Sequence, residues 1–202
     1  MVLIRRKYCE AKLGKSASLV PKAEKTVTRS FRISDRALGS IEEESKRQNV
    51  SVSTIINQQL LAYSEFERFF RRLGLIKISS ATFQRLLEAG SDEFVAKAGI
   101  EAGKDTPSSI ILAKHGVQNL DTIFDYLEML SEFANQFELG RIDQGGKMVI
   151  TLLHRLGPKG SIFFENYVKS LFGQTNYSPN ITSTEHSVVV EIVPRREDNS
   201  KF

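Results

Sequence analysis

The stretch from Thr26 to about Phe70 reads as a single short strand followed by two helices, and that lone strand is what most constrains how this chain can fold. From Thr26 the apolar and polar residues alternate. Thr28, Ser30 and Arg32 fall on one face, and Val27, Arg29, Phe31 and Ile33 on the other. A single strand leaves its backbone N–H and C=O groups unpaired along both edges. It forms no stable sheet by itself. The partner strand is expected from a second copy of the chain, giving a two-fold ribbon. Phe31 and Ile33 suit burial beneath such a ribbon. Arg29 suits it only at the ribbon's end, with its charge in water.

Capping residues punctuate the chain after the strand. Ser34 is a good N-cap for a helix from Asp35, whose carboxylate also favours the first turn. Leu38 and Ile41 mark its inward stripe, with Ser45 and Gln48 as a weaker continuation. Asn49 tolerates the left-handed backbone that ends many helices. Ser51 or Ser53 caps a second helix, whose stripe is Ile55, Ile56, Leu60, Leu61, Tyr63 and Phe66.

Charge divides the chain as well. Residues 1–79 carry 16 Lys and Arg against 8 Asp and Glu, and residues 80–202 carry 12 against 16. The net +4 therefore hides a basic first part, which is the part expected to meet a polyanion. Residues 1–25 read as a flexible basic arm. Arg5, Arg6 and Lys7 are its candidate contacts to a phosphate backbone or a minor groove. A single cysteine, Cys9, leaves no disulfide framework. No apolar run reaches the length of a signal peptide or a membrane span, so a cytoplasmic location is expected.

The order strand, helix, Ser-containing turn, helix over residues 26–66 resembles the ribbon–helix–helix family, the Arc/MetJ/CopG class of DNA-binding proteins. From Arg32 to the turn at Asn49 and the cap at Ser51, the helix and turn lengths match without a gap. The resemblance implies that Thr28, Ser30 and Arg32 face base edges in the major groove. There an Arg can bond guanine in a bidentate way, and hydroxyls can donate or accept. It implies that Ser51, Val52 and Ser53 hold a phosphate at the start of the second helix. It also implies an intertwined dimer core of Phe31, Ile33, Leu38, Ile41, Ile55, Ile56 and Leu60. Two positions depart from the pattern. Asn49 stands where the family often has Gly, and Arg29 where an apolar residue is common.

The remainder reads as mixed α and β. Ala81 to Ala89 and Ser91 to Ala102 are short helices, and Asp105-Thr106-Pro107-Ser108 starts another. Asp121 is placed as the cap of a longer helix with Ile123, Phe124, Leu127, Leu130 and Phe133 inward. Hairpins are expected for Phe137 to Ile142 with Lys147 to Leu153, and for Asn180 to Thr184 with Ser187 to Val193. Between them Ser161 to Phe172 is an amphipathic helix. The poor alternation of Val188-Val189-Val190 predicts burial on both faces. The expected organisation is an arm (1–25), a ribbon–helix–helix unit (26–78), an α+β unit with an antiparallel sheet (79–196) and a frayed tail (197–202).

Chemistry-bearing patterns are sparse in this second part. His115, His154 and His186 show no metal-ligand spacing, so no metal or cofactor is expected. Gly157, Gly160 and Ser161 lack the spacing of a phosphate loop and suit a turn and helix cap better. No nucleophile–base or dinucleotide pattern is present, so no enzymatic activity is expected. Phe124, Phe133, Phe137, Phe163, Phe164 and Phe172 fill a core or line a pocket. The functional expectation is a dimeric, sequence-specific regulator of transcription, such as a repressor. Its C-terminal part would take a small-molecule or protein effector or drive higher assembly. The alternatives are an antitoxin-type autoregulator and an assembly module that uses the ribbon only to dimerise.

Overall fold

The computed structural model describes residues 27–144 and 147–194. Over these residues the chain is α+β, with helices packed against a four-stranded antiparallel sheet.

The first two helices form where their caps place them. Helix α1 (Asp35–Gln48) starts at Ser34, whose side chain accepts from the Ala37 N–H, and ends at Asn49 with φ 56°. Helix α2 (Val52–Ala62) starts at Ser51, whose side chain accepts from the Thr54 N–H. The turn between them is pinned by the buried Ser45, whose hydroxyl donates to the Val50 carbonyl at 2.6 Å. The weak polar continuation of the α1 stripe is therefore a turn clamp. Before α1, Val27–Ser34 has no regular secondary structure. The ribbon expected there does not form in the single chain, because a strand needs a ladder partner and none of the described residues supplies one.

Helix α2 continues through a five-residue π turn (Tyr63–Glu67) into α3 (Arg68–Arg72). A π turn inserts an extra residue and so re-phases the faces on either side of it. Ile55 packs at the α1–α2 end, while Phe66 and Phe69 enter the main core beside Ile110, Leu127 and Leu130. Lys114 reaches Glu65 at 2.7 Å across the same contact. The helical path from α2 into α3 thus carries the N-terminal unit into the core of the unit expected over residues 79–196.

Next come α4 (Ser80–Glu88), α5 (Asp92–Ala102), α6 (Asp105–His115) and α7 (Leu120–Met129). Asp121 does not cap α7. Asn119 does, in a capping box where its side chain accepts from the Thr122 N–H and the Thr122 hydroxyl accepts from its own N–H. Asp121 lies instead in the first turn, where its charge opposes the helix dipole favourably.

Strands β1 (Glu138–Gln144) and β2 (Lys147–Leu153) form the first hairpin, and β3 (Tyr177–Ser183) and β4 (Ser187–Pro194) the second. The order is β1-β2-β4-β3, with Ile150 opposite Val190 and Leu152 opposite Val188 at the centre. Helix α8 (Gly157–Phe172) connects the hairpins. It begins four residues before the expected Ser161. Val188, Val190 and Ile192 are buried, but Val189 is only half-buried. The expected burial on both faces fails because the helices cover one face of the sheet.

Helix α5 lies across α8 on a small-residue stripe. A Cβ on Gly99 would meet the Phe163 carbonyl oxygen, and one on Gly103 the Tyr167 carbonyl oxygen, both closer than 3.0 Å. Glycine at i and i+4 lets the helix backbones approach, and this fixes where α8 holds Phe163 and Tyr167.

Candidate nucleic-acid interface and aromatic cleft

Thr28, Ser30 and Arg32 are all exposed, as is Arg29, whose guanidinium donates to the Thr28 carbonyl at 3.3 Å. Arg5, Arg6 and Lys7 lie outside the described residues. At the start of α2 the Ser51 hydroxyl bonds both the N–H (3.0 Å) and the hydroxyl (2.8 Å) of Thr54. Ser51 and Ser53 are exposed, Val52 is half-buried, and no acidic residue occupies this first turn. The leading N–H groups of an α-helix have no intrahelical acceptor, so this end presents a positive, unblocked terminus. The last turn of α1, just before it in sequence, carries Lys46 and Arg47. Arg47 also pairs with Glu44, whose pKa the guanidinium and then Gln48 lower.

Of the seven residues assigned to a dimer core, only Ile55 is buried in the single chain. Ile33, Leu38, Ile41 and Ile56 are half-buried. Phe31 is 61% exposed and Leu60 58%. Val27, ahead of α1, is exposed as well, at 69%.

A second feature is not visible in the sequence pattern. A cleft of about 890 Å³ opens between α3, the segment leading to α4, and the helical core. Its walls are aromatic. Phe66 lies tilted against Phe70 (3.9 Å between centroids) and stacks at longer range on Phe133 (6.2 Å). On the far side Phe83 meets Phe163 edge-on at 5.3 Å, and Phe163 leads to Tyr167 at 6.1 Å. Of the six phenylalanines read as core or pocket, Phe133, Phe163 and Phe164 line this cleft, and Phe124, Phe137 and Phe172 belong to the core.

Two buried tyrosines also line it. The hydroxyls of Tyr126 on α7 and Tyr167 on α8 meet at 2.7 Å. Burial raises both phenol pKa values, so both hydroxyls keep their protons. Tyr126 lies beside the Ile123–Leu127 stripe and Tyr167 within that of α8. Periodicity reads Tyr167 as core and leaves Tyr126 off the inward stripe, and only the packed fold brings the polar ends together.

His154 and Ser161 form a buried polar cluster elsewhere. The Leu156 N–H donates to His154 Nδ1 at 3.3 Å, which leaves Nε2 as the protonated nitrogen facing Ser161 Oγ at 3.0 Å. The Ser161 hydroxyl in turn donates to the Thr184 carbonyl. A serine nucleophile needs the opposite polarity, with Nε2 accepting the hydroxyl proton. These bonds instead tie the start of α8 to the β3–β4 turn. Burial first, and the nearby His186 second, depress the His154 pKa to about 4, so the ring is neutral. Gly160 lies in the first turn of α8 with its backbone against His154 and Leu156, and Ser161 does not cap that helix, which starts at Gly157 without a side-chain cap.

Among the described residues no cluster of three or more His, Cys, Asp or Glu side chains is arranged to hold a metal, and no helix is long and apolar enough to cross a membrane. Comparison with known protein families, with curated proteins and with solved structures gives no match to this chain.

Proposed function

We propose that the chain is a sequence-specific double-stranded DNA-binding regulator that acts as a dimer through a ribbon built from residues 26–33 of two copies. The observation that carries this reading is the register of caps and turn. Ser34 opens α1, Asn49 closes it in the left-handed region, and Ser51 opens α2, directly behind an exposed, unpaired segment with basic and hydroxyl side chains. In a dimer, Phe31 and Leu60 leave solvent and the unpaired backbone gains its ladder. Burying two such side chains per protomer stabilises association by roughly 1.5–3 kcal/mol each. Thr28, Ser30 and Arg32 then face the major groove, and the start of α2 with Ser51, Val52 and Ser53 holds a phosphate that sets the register. A DNA partner places the protein with the nucleoid.

The test is footprinting on the neighbouring genomic region, together with duplex binding over a range of salt. A protected palindrome, with affinity that falls linearly in log K against log salt, supports the reading. A dimer with no duplex binding at low salt leaves the assembly reading, in which the ribbon serves only to dimerise.

A further inference from the structure

We infer that the aromatic cleft is a binding site for an apolar, ring-containing small molecule that carries a hydrogen-bond acceptor oxygen, such as an aryl ketone, ester or quinone.

The two tyrosines have one proton too many. Tyr126 and Tyr167 are 4% and 6% exposed, and both line the cleft. Two phenols carry two hydroxyl protons, and their mutual bond at 2.7 Å uses one. Among the described residues neither hydroxyl has another partner, so one donor is left over. A buried donor without an acceptor is costly, and such groups usually mark a bound water or ligand. Ionisation does not relieve it, because burial holds both phenols in the neutral form. What the cleft lacks is therefore an acceptor, and a second donor would not serve.

The walls define the rest of the occupant. Phe66, Phe70 and Phe133 form one aromatic group in the lining and Phe83 and Phe163 another, which suits stacked and edge-on contacts with a ring. The volume of about 890 Å³ lies within the ordinary range for small-molecule sites, roughly 300–1,000 Å³. At the rim Leu75, Ile76 and Ile78 are exposed by 40%, 83% and 47%, so apolar surface borders the mouth as well. Lys77 at the rim pairs with Glu67 at 2.6 Å, and Arg71 lies 4.0 Å from the same carboxylate. The site is defined by this geometry alone, whether or not the chain binds DNA.

The experiment compares two probes of nearly the same shape on the full chain. Benzophenone carries the acceptor and diphenylmethane lacks it. Titration followed by ¹⁵N chemical shifts is expected to move resonances of cleft residues, with benzophenone binding about fivefold more tightly, the effect of one ordinary hydrogen bond. Tyr126→Phe and Tyr167→Phe each keep one unclaimed hydroxyl and are expected to retain the preference. The double variant is expected to lose it. A measurement on the wild-type chain needs no variant: the carbonyl stretch of bound benzophenone is expected at lower frequency than in an apolar solvent. Equal binding of the two probes, no binding of benzophenone at its solubility limit, an unshifted carbonyl stretch, or a preference that persists in the folded double variant would each overturn the inference.

Discussion

Arg32 and His154 show how differently single residues report on this chain. Arg32 is exposed, and no neighbour among the described residues gives it a structural task. On the proposed reading Arg32→Ala should weaken a specific duplex by roughly 1–3 kcal/mol and relax preference at one base pair. Competition titrations against single-base variants of the footprinted site measure both, and wild-type behaviour would refute the base-contacting role. His154 is 3% exposed, and its task is internal. Its pKa falls from 6.5 in the unfolded chain to about 4 when folded. Between those values the unfolded state binds more protons. The contribution is therefore complete above about pH 6.5 and declines as pH drops toward 4, by about 3 kcal/mol in all. Urea midpoints at pH 7 and pH 4.5 should show that loss in the wild type and a smaller one in His154→Gln. The end of an apolar strand is where a hydrogen-bonded core histidine is expected, and His154 is one. Its partner is harder to find in the sequence, because Ser161 lies on a helix that periodicity alone starts too late.

Elements are most legible where local chemistry decides them. The caps at Ser34 and Ser51 and the turn at Asn49 follow from hydrogen bonds that span three to five residues. Ser51→Ala should cost about 1 kcal/mol of stability, and Asn49→Gly should be near neutral because both residues accept a φ of 56°. Thermal unfolding checks the two together, and an unaffected Ser51→Ala would refute the cap's role. Longer-range decisions are less visible. Gly99 lies inside the helix expected for Ser91 to Ala102 and Gly103 just past its end, and both are where this helix meets the backbone of α8. Gly103→Ala forces a methyl into the Tyr167 carbonyl and should cost at least about 1–3 kcal/mol. The same change at the half-buried Gly39, where an added Cβ meets nothing within 4 Å, should be neutral or slightly stabilising. Equal effects at the two sites would refute the close crossing.

For the whole molecule, the proposed dimer puts its apolar contact at Phe31 and Leu60, which are exposed in the single chain. Phe31→Asp is expected to shift sedimentation from dimer to monomer while leaving the fold of residues 80–194 intact by circular dichroism. A variant that stays dimeric would place the interface elsewhere. One helical path runs from the proposed phosphate contact at Ser51 to Phe66 and Phe70 in the cleft wall. An occupant of the cleft and a duplex at Ser51 would therefore act on one continuous helix. The caps at Ser34 and Ser51, the two hairpins and the basic first part of the chain are written in the residue order, because they depend on neighbours a few residues away or on composition. It takes the packed fold to carry the second helix of the N-terminal unit into the C-terminal core. It takes the same packing to give two tyrosines 41 residues apart one shared hydrogen bond. Those outcomes depend on how helices cross, and a crossing is fixed by shape and packing between distant segments.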